Sequence, residues 1–352
     1  MEKPKLPGNR KRKTPQRRIY RKLPGPTEGG ACFGEGGGLV LVHFWGVRGS
    51  IPAPQLPSQF KSKISAILER LTPEDIKTPE NRERFLADLP PWLFGTVGSN
   101  TPCVSVSCDS TNDLIVFDAG SGLREFGIAM VKEKPKHNHF HIFFSHFHWD
   151  HLQGLPFFNP GYDPSVTIDF YSPMKNLETA LHGQMTSPYF PVHMESMGSK
   201  KIFHELTEPL FLGELSVHFK KMNHPGDSYS YKITEADKNF IFATDTELSA
   251  NDFQKTEENI LYFENADCIV LDSQYTLGEA IEKYNWGHSA FSLAVDFAAN
   301  WGIKQLILYH HDPTYDDRKL FNMLQSAKWY TERMGIKEIE ITLAMEGMEI
   351  IL

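Results

Sequence analysis

The chain has few cysteines and no long hydrophobic run. Only four cysteines occur among its 352 residues, and Cys32, Cys103, Cys108 and Cys268 show no paired spacing, which excludes a disulfide framework and a cysteine-rich zinc motif. No stretch reaches the roughly 18 apolar residues of a membrane span, and no apolar segment follows the basic N-terminus as in a secretory signal. The sequence therefore predicts a cytoplasmic protein, not associated with a membrane, with Cys103, Cys108 and Cys268 as buried free thiols.

Positive charge is concentrated at the N-terminus. Residues 1–30 carry ten Lys or Arg and two Glu, whereas the rest of the chain carries 26 basic and 42 acidic side chains. Residues 1–38 are also rich in Pro and Gly, which predicts a disordered tail. Its basic runs at 10–13 and 17–18 either contact nucleic acid or another anionic surface or are a solvated extension without a partner. The acidic remainder is a poor general nucleic-acid binder.

One short motif carries the strongest chemical signal. His-x-His-x-Asp-His occupies residues 146–151, directly after the apolar run 140–144, which is typical of a buried strand. His146 and His148 point the same way in an extended chain, whereas Asp150 and His151 point apart. One ion rarely needs four ligands from six residues, but two ions about 3.5–4 Å apart do. The motif therefore predicts a dinuclear metal site.

Three further donors follow apolar runs downstream. They are His224, Asp245 and His310, and strand ends hold ligands with the precision that a metal site needs. A lone histidine at a strand end is more often a structural residue, so the signal comes from the ordered set. His311 is the alternative to His310.

With this set, the chain resembles the metallo-β-lactamase superfamily. The resemblance also covers segments 42–52, 98–104 and 115–124, and runs from about residue 39 to 352. It implies that one ion is held by His146, His148 and His224, the other by Asp150, His151 and His310, and that Asp245 bridges them. Imidazole and carboxylate ligands suit two Zn²⁺ ions, with Mn²⁺ or Fe as alternatives.

Asp272 and the loop Trp286-Gly287-His288-Ser289 resemble the ribonuclease Z and phosphodiesterase branch. The resemblance implies metal-bridging hydroxide attack on a phosphodiester, with Asp150, His288 and Asp272 as catalytic residues. An imidazolium at His288 would protonate the leaving alkoxide, and Asp272 would orient it. The alternative for His288 is a structural residue before the helix that starts near 289.

The substrate is expected to be small. Ribonuclease Z usually carries a long arm between the residues that match His224 and Asp245. Here Asp245 follows His224 by only 21 positions, an interval that has room for one hairpin. The sequence predicts a phosphodiesterase for a cyclic nucleotide or related ester. The alternatives are an endonuclease that processes RNA 3′ ends and a catalytically inert binding protein. A glyoxalase-like thioesterase is disfavoured, because Asp272 and His288 would have no role there.

The predicted fold is α/β, an αββα four-layer sandwich of two mixed sheets with outer helices, formed by residues 39–352 as one domain. Each half contributes a sheet, and the site lies where strand ends of both sheets meet. The insertion 52–94 is predicted to hold two short helices, at 58–71 and 79–86. Three alternatives are open for the role of this insertion: a lid over the cleft, an oligomer contact such as a homodimer interface, or a surface addition that only packs against the domain. Outside the insertion, the predicted strands lie near 39–46, 102–108, 113–118, 139–145, 338–342 and 346–351. The predicted helices lie near 121–133, 175–186, 251–262, 289–300 and 316–333.

Overall fold

The computed structural model describes residues 40–133 and 137–352. The tail that was predicted to be disordered, with its basic runs and Cys32, lies outside the described residues.

The described residues form fourteen strands. In chain order they are β1 (Val40–Gly46), β2 (Cys103–Cys108), β3 (Leu114–Phe117), β4 (His139–Phe143), β5 (Thr167–Ser172), β6 (Lys200–Glu205), β7 (Leu210–Leu212), β8 (Leu215–Met222), β9 (Ser228–Glu235), β10 (Lys238–Ala243), β11 (Cys268–Asp272), β12 (Gln305–Tyr309), β13 (Glu340–Leu343) and β14 (Glu349–Ile351).

Two seven-stranded sheets result, with the orders β14-β1-β2-β3-β4-β5-β6 and β13-β12-β11-β10-β9-β8-β7. Each sheet is mixed. Strands β3 to β6 pair in parallel in the first sheet, as do β10 to β13 in the second, and the other pairs are antiparallel. The N-terminal half supplies the first sheet and the C-terminal half the second, except that β14 returns to pair with β1.

The described part of the chain also forms ten α-helices. They are α1 (Pro57–Leu68), α2 (Pro79–Asp88), α3 (Pro91–Phe94), α4 (Gly122–Lys132), α5 (Trp149–Leu152), α6 (Leu177–Gln184), α7 (Glu257–Phe263), α8 (Leu277–Glu282), α9 (Phe291–Asn300) and α10 (Asp317–Met334). Among these residues, no helix has both the length and the apolar character that crossing a membrane requires.

Burial on both faces explains the apolar strands at the centre of each sheet. Ile115 and Phe117 of β3 belong to the core between the two sheets, whereas Leu114 and Val116 pack towards the helices outside the first sheet. Parallel strands covered on both faces need such continuous apolar runs. Helices α4 and α6 contact the first sheet and α9 and α10 the second, which confirms the predicted αββα arrangement. The three cysteines predicted as buried free thiols are buried and free.

The insertion packs against the start of α10. Helix α1 contacts α3, and α3 contacts α10. Lys63 of α1 and Arg48 both pair with the buried carboxylate of Asp317. One face of α1 leaves Phe60 and Ile64 more than half exposed. The two predicted helices are therefore present, and these contacts attach the insertion to the rest of the domain.

Two features differ from the sequence prediction. The apolar pattern at 251–262 is interrupted: a 3₁₀ turn at Ala250–Phe253 ends before α7 begins. Each segment has its own N-terminal hydrogen bonds: the backbone N–H of Ser249 donates to the carboxylate of Asp252, and the backbone N–H of Asn259 donates to the hydroxyl of Thr256. Such caps start separate helices. Strands β5, β6 and β7 were not predicted. Strand β6 mixes exposed and half-buried residues, so it lacks the apolar run that marked the other strands.

Candidate metal centre

The seven residues predicted as metal ligands all lie just beyond strand ends, at the edge where the two sheets meet. The 146–151 motif follows β4, and His224, Asp245 and His310 follow β8, β10 and β12. Asp245 and His310 adopt positive φ angles of 45° and 60°, a left-handed conformation that is costly for residues with a Cβ and concentrates at functional sites.

Three imidazole nitrogens converge in the first group of donors. His148 Nδ1 lies 2.9 Å from His146 Nε2 and 3.2 Å from His224 Nε2. With Asp245, these residues offer donor atoms that all lie within 4.8 Å of one another.

The second group contains two carboxylates and two imidazoles. His151 Nε2 lies 3.2 Å from Asp150 Oδ2 and from Asp245 Oδ1. His310 Nε2 lies 3.3 Å and 3.0 Å from the same two oxygens. The backbone N–H of Ser50 donates to Asp150 Oδ2 at 2.7 Å and fixes that carboxylate.

Asp245 is shared between the groups through its two oxygens. Its Oδ2 faces the first group, 3.6 Å from His146 Nε2 and 3.8 Å from His224 Nε2, whereas its Oδ1 faces His151 and His310. A carboxylate in this position can bridge two cations.

Outer hydrogen bonds select which nitrogen of His151 and of His224 faces the centre. His151 Nδ1 donates to Asp118 at 2.8 Å, and His224 Nδ1 donates to the carbonyl of Gly287 at 2.9 Å. Both Nε2 atoms are thereby left as acceptors for a cation. Asp118 also accepts from the backbone N–H and the hydroxyl of Ser145, so it ties β3 to the start of the motif.

The charge states of the buried groups suit cation binding. Burial, together with the neighbouring His151, holds the pKa of His146 well below its usual value, which keeps the imidazole neutral as a ligand must be. Burial pushes the pKa of Asp245 up, but His310, His151 and His146 outweigh it and the pKa lies well below the usual range. Burial also lowers the pKa values of His148 and His224, so the imidazoles of the first group are neutral. Burial lowers the pKa of His151 too, but the carboxylates of Asp150, Asp245 and Asp118 outweigh it and raise that pKa well above its usual value.

An orphaned nitrogen shows that a cation fits. His151 Nε2 is fully buried and has no hydrogen-bond partner, although two carboxylate oxygens lie 3.2 Å away. With Nδ1 donating to Asp118, a neutral ring would point a lone pair at two negative groups. A positive charge at this position, either a proton on the ring or a bound cation, removes this conflict. The donor set of imidazole and carboxylate matches zinc or a similar divalent ion.

His288 and Asp272 form a separate pair beside the centre. His288 Nδ1 donates to Asp272 Oδ2 at 2.7 Å, and the ring of His288 stacks on that of His310, with centroids 5.0 Å apart. Asp272 also accepts from the backbone N–H groups of Thr246 and Ser289, so its orientation is fixed. Burial lowers the pKa of His288, but the carboxylate of Asp272 outweighs it and raises the pKa to about 9.

A cleft of about 430 Å³ opens onto these groups. Its lining consists of Ser50, Phe147, His148, Trp149, Asp150, Asp245, His288 and His310. No residue of the 52–94 insertion is part of this lining in the described chain.

Of the two adjacent histidines, the structure places His310 and not His311 among the donor groups. His310 joins the centre, whereas His311 Nε2 lies 2.9 Å from the carbonyl of Ala344. Burial lowers the pKa of His311 to about 3, so the neutral ring donates to this carbonyl and serves packing.

A family model described as "Beta-lactamase superfamily domain" matches residues 114–311, more than half of the chain. The chain belongs to this superfamily. The prediction of a metal-dependent hydrolase is confirmed by this match together with its hydrolase relatives.

Relatives and solved structures of the superfamily cover most of the chain. Ribonuclease Z of Prochlorococcus marinus strain MIT 9515 is 24% identical over 277 residues, which span 64% of this chain and 86% of the relative. The metallo-β-lactamase fold protein YhfI from Bacillus subtilis superposes with a TM-score of 0.59 at 18% identity, covering 89% of this chain and 99% of its own. Human short-form tRNase Z superposes with a TM-score of 0.57 at 16% identity, covering 88% of this chain and 98% of its own. These structures confirm the predicted metallo-β-lactamase sandwich.

Sequence reasoning missed several residues that shape this superfamily site. Asp118 lay in a segment quoted only for the resemblance, and its position at the end of an apolar strand was the available signal. A Cβ on Gly287 would lie 2.2 Å from His224 Nδ1, and one on Gly49 2.5 Å from His310, so both glycines allow the chain to pass against histidines of the centre. The backbone contact from Ser50 had no sequence signal.

Proposed function

We propose that this protein hydrolyses phosphodiester bonds of a small substrate that carries a nucleobase, such as a cyclic nucleotide. The observation that carries the proposal is the His288–Asp272 pair, held at 2.7 Å on the wall of the same cleft as the candidate metal centre. Hydrolysis of a phosphodiester needs a proton for a poor leaving group, and this pair supplies a positioned acid.

The centre would hold two divalent ions, zinc being the first choice and Mn²⁺ or Fe the alternatives. One ion would be held by His146, His148 and His224, and the other by Asp150, His151 and His310. Asp245 would be a ligand of both ions. When bound, such ions supply an activated water and offset the charge on the phosphoryl oxygens.

The proton for the leaving oxygen would come from His288. Asp272 accepts from its Nδ1, which leaves Nε2 for the cleft. A pKa of about 9 keeps the ring protonated at neutral pH. Asp272 orients the ring and stabilises its charge, and Ser289 and Thr246 hold Asp272 in place.

The size and the lining of the cleft support a small substrate. A volume of about 430 Å³ falls in the range of about 300–1,000 Å³ that is usual for small-molecule sites. The interval between His224 and Asp245 holds only the β9–β10 hairpin, as predicted. Trp149 lines the cleft with 81% of its surface exposed, and an exposed ring beside phosphate-binding groups is suited to stack on a base.

The second candidate is an endonuclease that processes RNA 3′ ends, and similarity to ribonuclease Z sequences favours it. Such an enzyme needs a basic surface for the RNA, which would have to come from the tail because the remaining residues are acidic. An inert binding protein is disfavoured, since the whole donor set and the His288–Asp272 pair are present. Contacts of the tail with nucleic acid, a homodimer and a cytoplasmic location stay predictions.

A substrate screen tests the proposal. Full-length protein, dialysed against chelator and reconstituted with Zn²⁺ or Mn²⁺, would be assayed on cyclic nucleotides, bis-p-nitrophenyl phosphate and RNA oligomers. We expect turnover of the small diesters that depends on added metal. Cleavage confined to RNA 3′ ends would favour the second candidate, and no turnover of any phosphodiester would refute both.

A further inference from the structure

A second group of imidazoles and carboxylates lies at the opposite end of the parallel strands of the first sheet. Asp113 directly precedes β3, His139 and His141 lie in β4, and Asp169 lies in β5. His141 is four residues before Ser145, so about 13 Å of strand separates the group from the candidate metal centre. Because residues two apart share a face of a strand, His139 and His141 lie on one side, and the strand register places Asp169 beside His141.

Three donor atoms converge within this group. Asp113 Oδ2 lies 3.3 Å from His139 Nδ1 and 3.2 Å from His141 Nε2, and all three lie within 4.8 Å of one another. Zinc bonds of about 2.0–2.1 Å in tetrahedral geometry place neighbouring ligand atoms about 3.3–3.4 Å apart. The carboxylate–imidazole spacings therefore fit one ion without a large rearrangement.

The far nitrogen of each histidine already has an oxygen partner. His139 Nε2 donates to Asp169 Oδ2 at 2.7 Å, and His141 Nδ1 lies 3.0 Å from the hydroxyl of Tyr171. Carboxylate and hydroxyl groups in this position fix the orientation of metal-ligating histidines and raise their basicity. Asp169 is held in turn by His204. The inner and outer contacts of a metal site are thus both present.

We propose that Asp113, His139 and His141 bind a divalent cation, with zinc the best match, at a site separate from the candidate catalytic centre. Burial lowers the pKa of His141, so the ring is neutral, as a ligand must be. The side chains of Asp113 and His139 are each 35% exposed, which leaves a path for the ion and a fourth position for water. The ion would tie together β3, β4 and, through Asp169, β5.

Metal stoichiometry tests this site. Full-length protein would be dialysed to equilibrium against buffered Zn²⁺, and the zinc bound per chain would be counted by elemental analysis. Asp113→Asn and His141→Gln should each bind one ion fewer than the wild type. Asp169→Asn should keep the ion with about 10–100-fold weaker affinity, the usual effect of losing such an outer partner. The control His218→Gln removes a histidine on β8 that lies outside every candidate group and should bind as the wild type does.

Asp113→Asn is the variant least expected to unfold. Because Asp113 is partly exposed and precedes its strand, this variant should melt like the wild type, and it remains informative if His141→Gln unfolds. The Asp245→Ala variant, expected to lose the catalytic ions, should retain one zinc that Asp113→Asn then removes. Wild-type stoichiometry in both Asp113→Asn and His141→Gln, or no zinc retained by folded Asp245→Ala, would show that the group is only a hydrogen-bonded network.

Discussion

Replacing His288 with alanine distinguishes acid catalysis from a structural role. The ring is held by Asp272 at 2.7 Å, and its pKa of about 9 keeps it protonated at pH 7. A positioned general acid contributes about 10²–10⁴-fold to the rate. We therefore expect His288→Ala to lose about this factor on a diester with an alkoxide leaving group, and much less on bis-p-nitrophenyl phosphate, whose leaving group departs without a proton.

The pH profile gives an independent readout. A raised pKa means that the acid is present at neutral pH and is lost as the pH rises through the folded value. Turnover of the alkoxide substrate should therefore fall towards pH 9. Bound cations would oppose the part of the shift due to Asp245 and Asp150, so the decline begins at or below about 9. His288→Ala should remove this decline.

The assay is steady-state turnover of both substrates by the wild type, His288→Ala, Asp272→Asn and the control His218→Ala, with metal content and melting temperature measured for each. Asp272→Asn should show the pattern of His288→Ala more weakly, because an amide still fills the position but no longer stabilises the imidazolium. Equal losses on both substrates would refute acid catalysis, and loss of an ion in His288→Ala would show that His288 is a ligand.

Three further predictions follow from the site and from the tail. Asp245→Ala should lose both catalytic ions, because the two oxygens of Asp245 face both donor groups, whereas His224→Ala should mainly weaken the binding of one ion. Elemental analysis of each variant, compared with the wild type, checks this. An unchanged metal content in Asp245→Ala would contradict the bridging role of Asp245. Trp149→Ala should raise KM for a cyclic nucleotide by about 5–150-fold, corresponding to about 1–3 kcal/mol of base stacking. A diester that carries no aromatic ring should show no matching change, and a parallel change would mean that the ring does not contact a base. Deletion of residues 1–34 should leave turnover of a small diester within about twofold, since terminal segments of such composition rarely support a site; a collapse in a folded protein would place the tail in the site.

The last two strands join different sheets, and strand patterns alone do not predict this. The apolar runs predicted both closing strands, but nothing in them states that β13 joins the second sheet and β14 the first. That choice depends on which edge strand, β12 or β1, has unpaired backbone groups within reach, and this is a property of the assembled sheets.

The sequence by itself determined the chemistry of the candidate centre. Donor types and their positions after apolar runs are local properties, so all seven donors and the pair of Asp272 and His288 could be named from spacing and resemblance. Only the tertiary structure decided between His310 and His311, because adjacent residues differ there in backbone conformation and in what each side chain meets. It also brought Asp118 against His151 and gathered Asp113, His139 and His141. Those contacts depend on the register of parallel strands that are far apart in the chain, and no local pattern encodes that register.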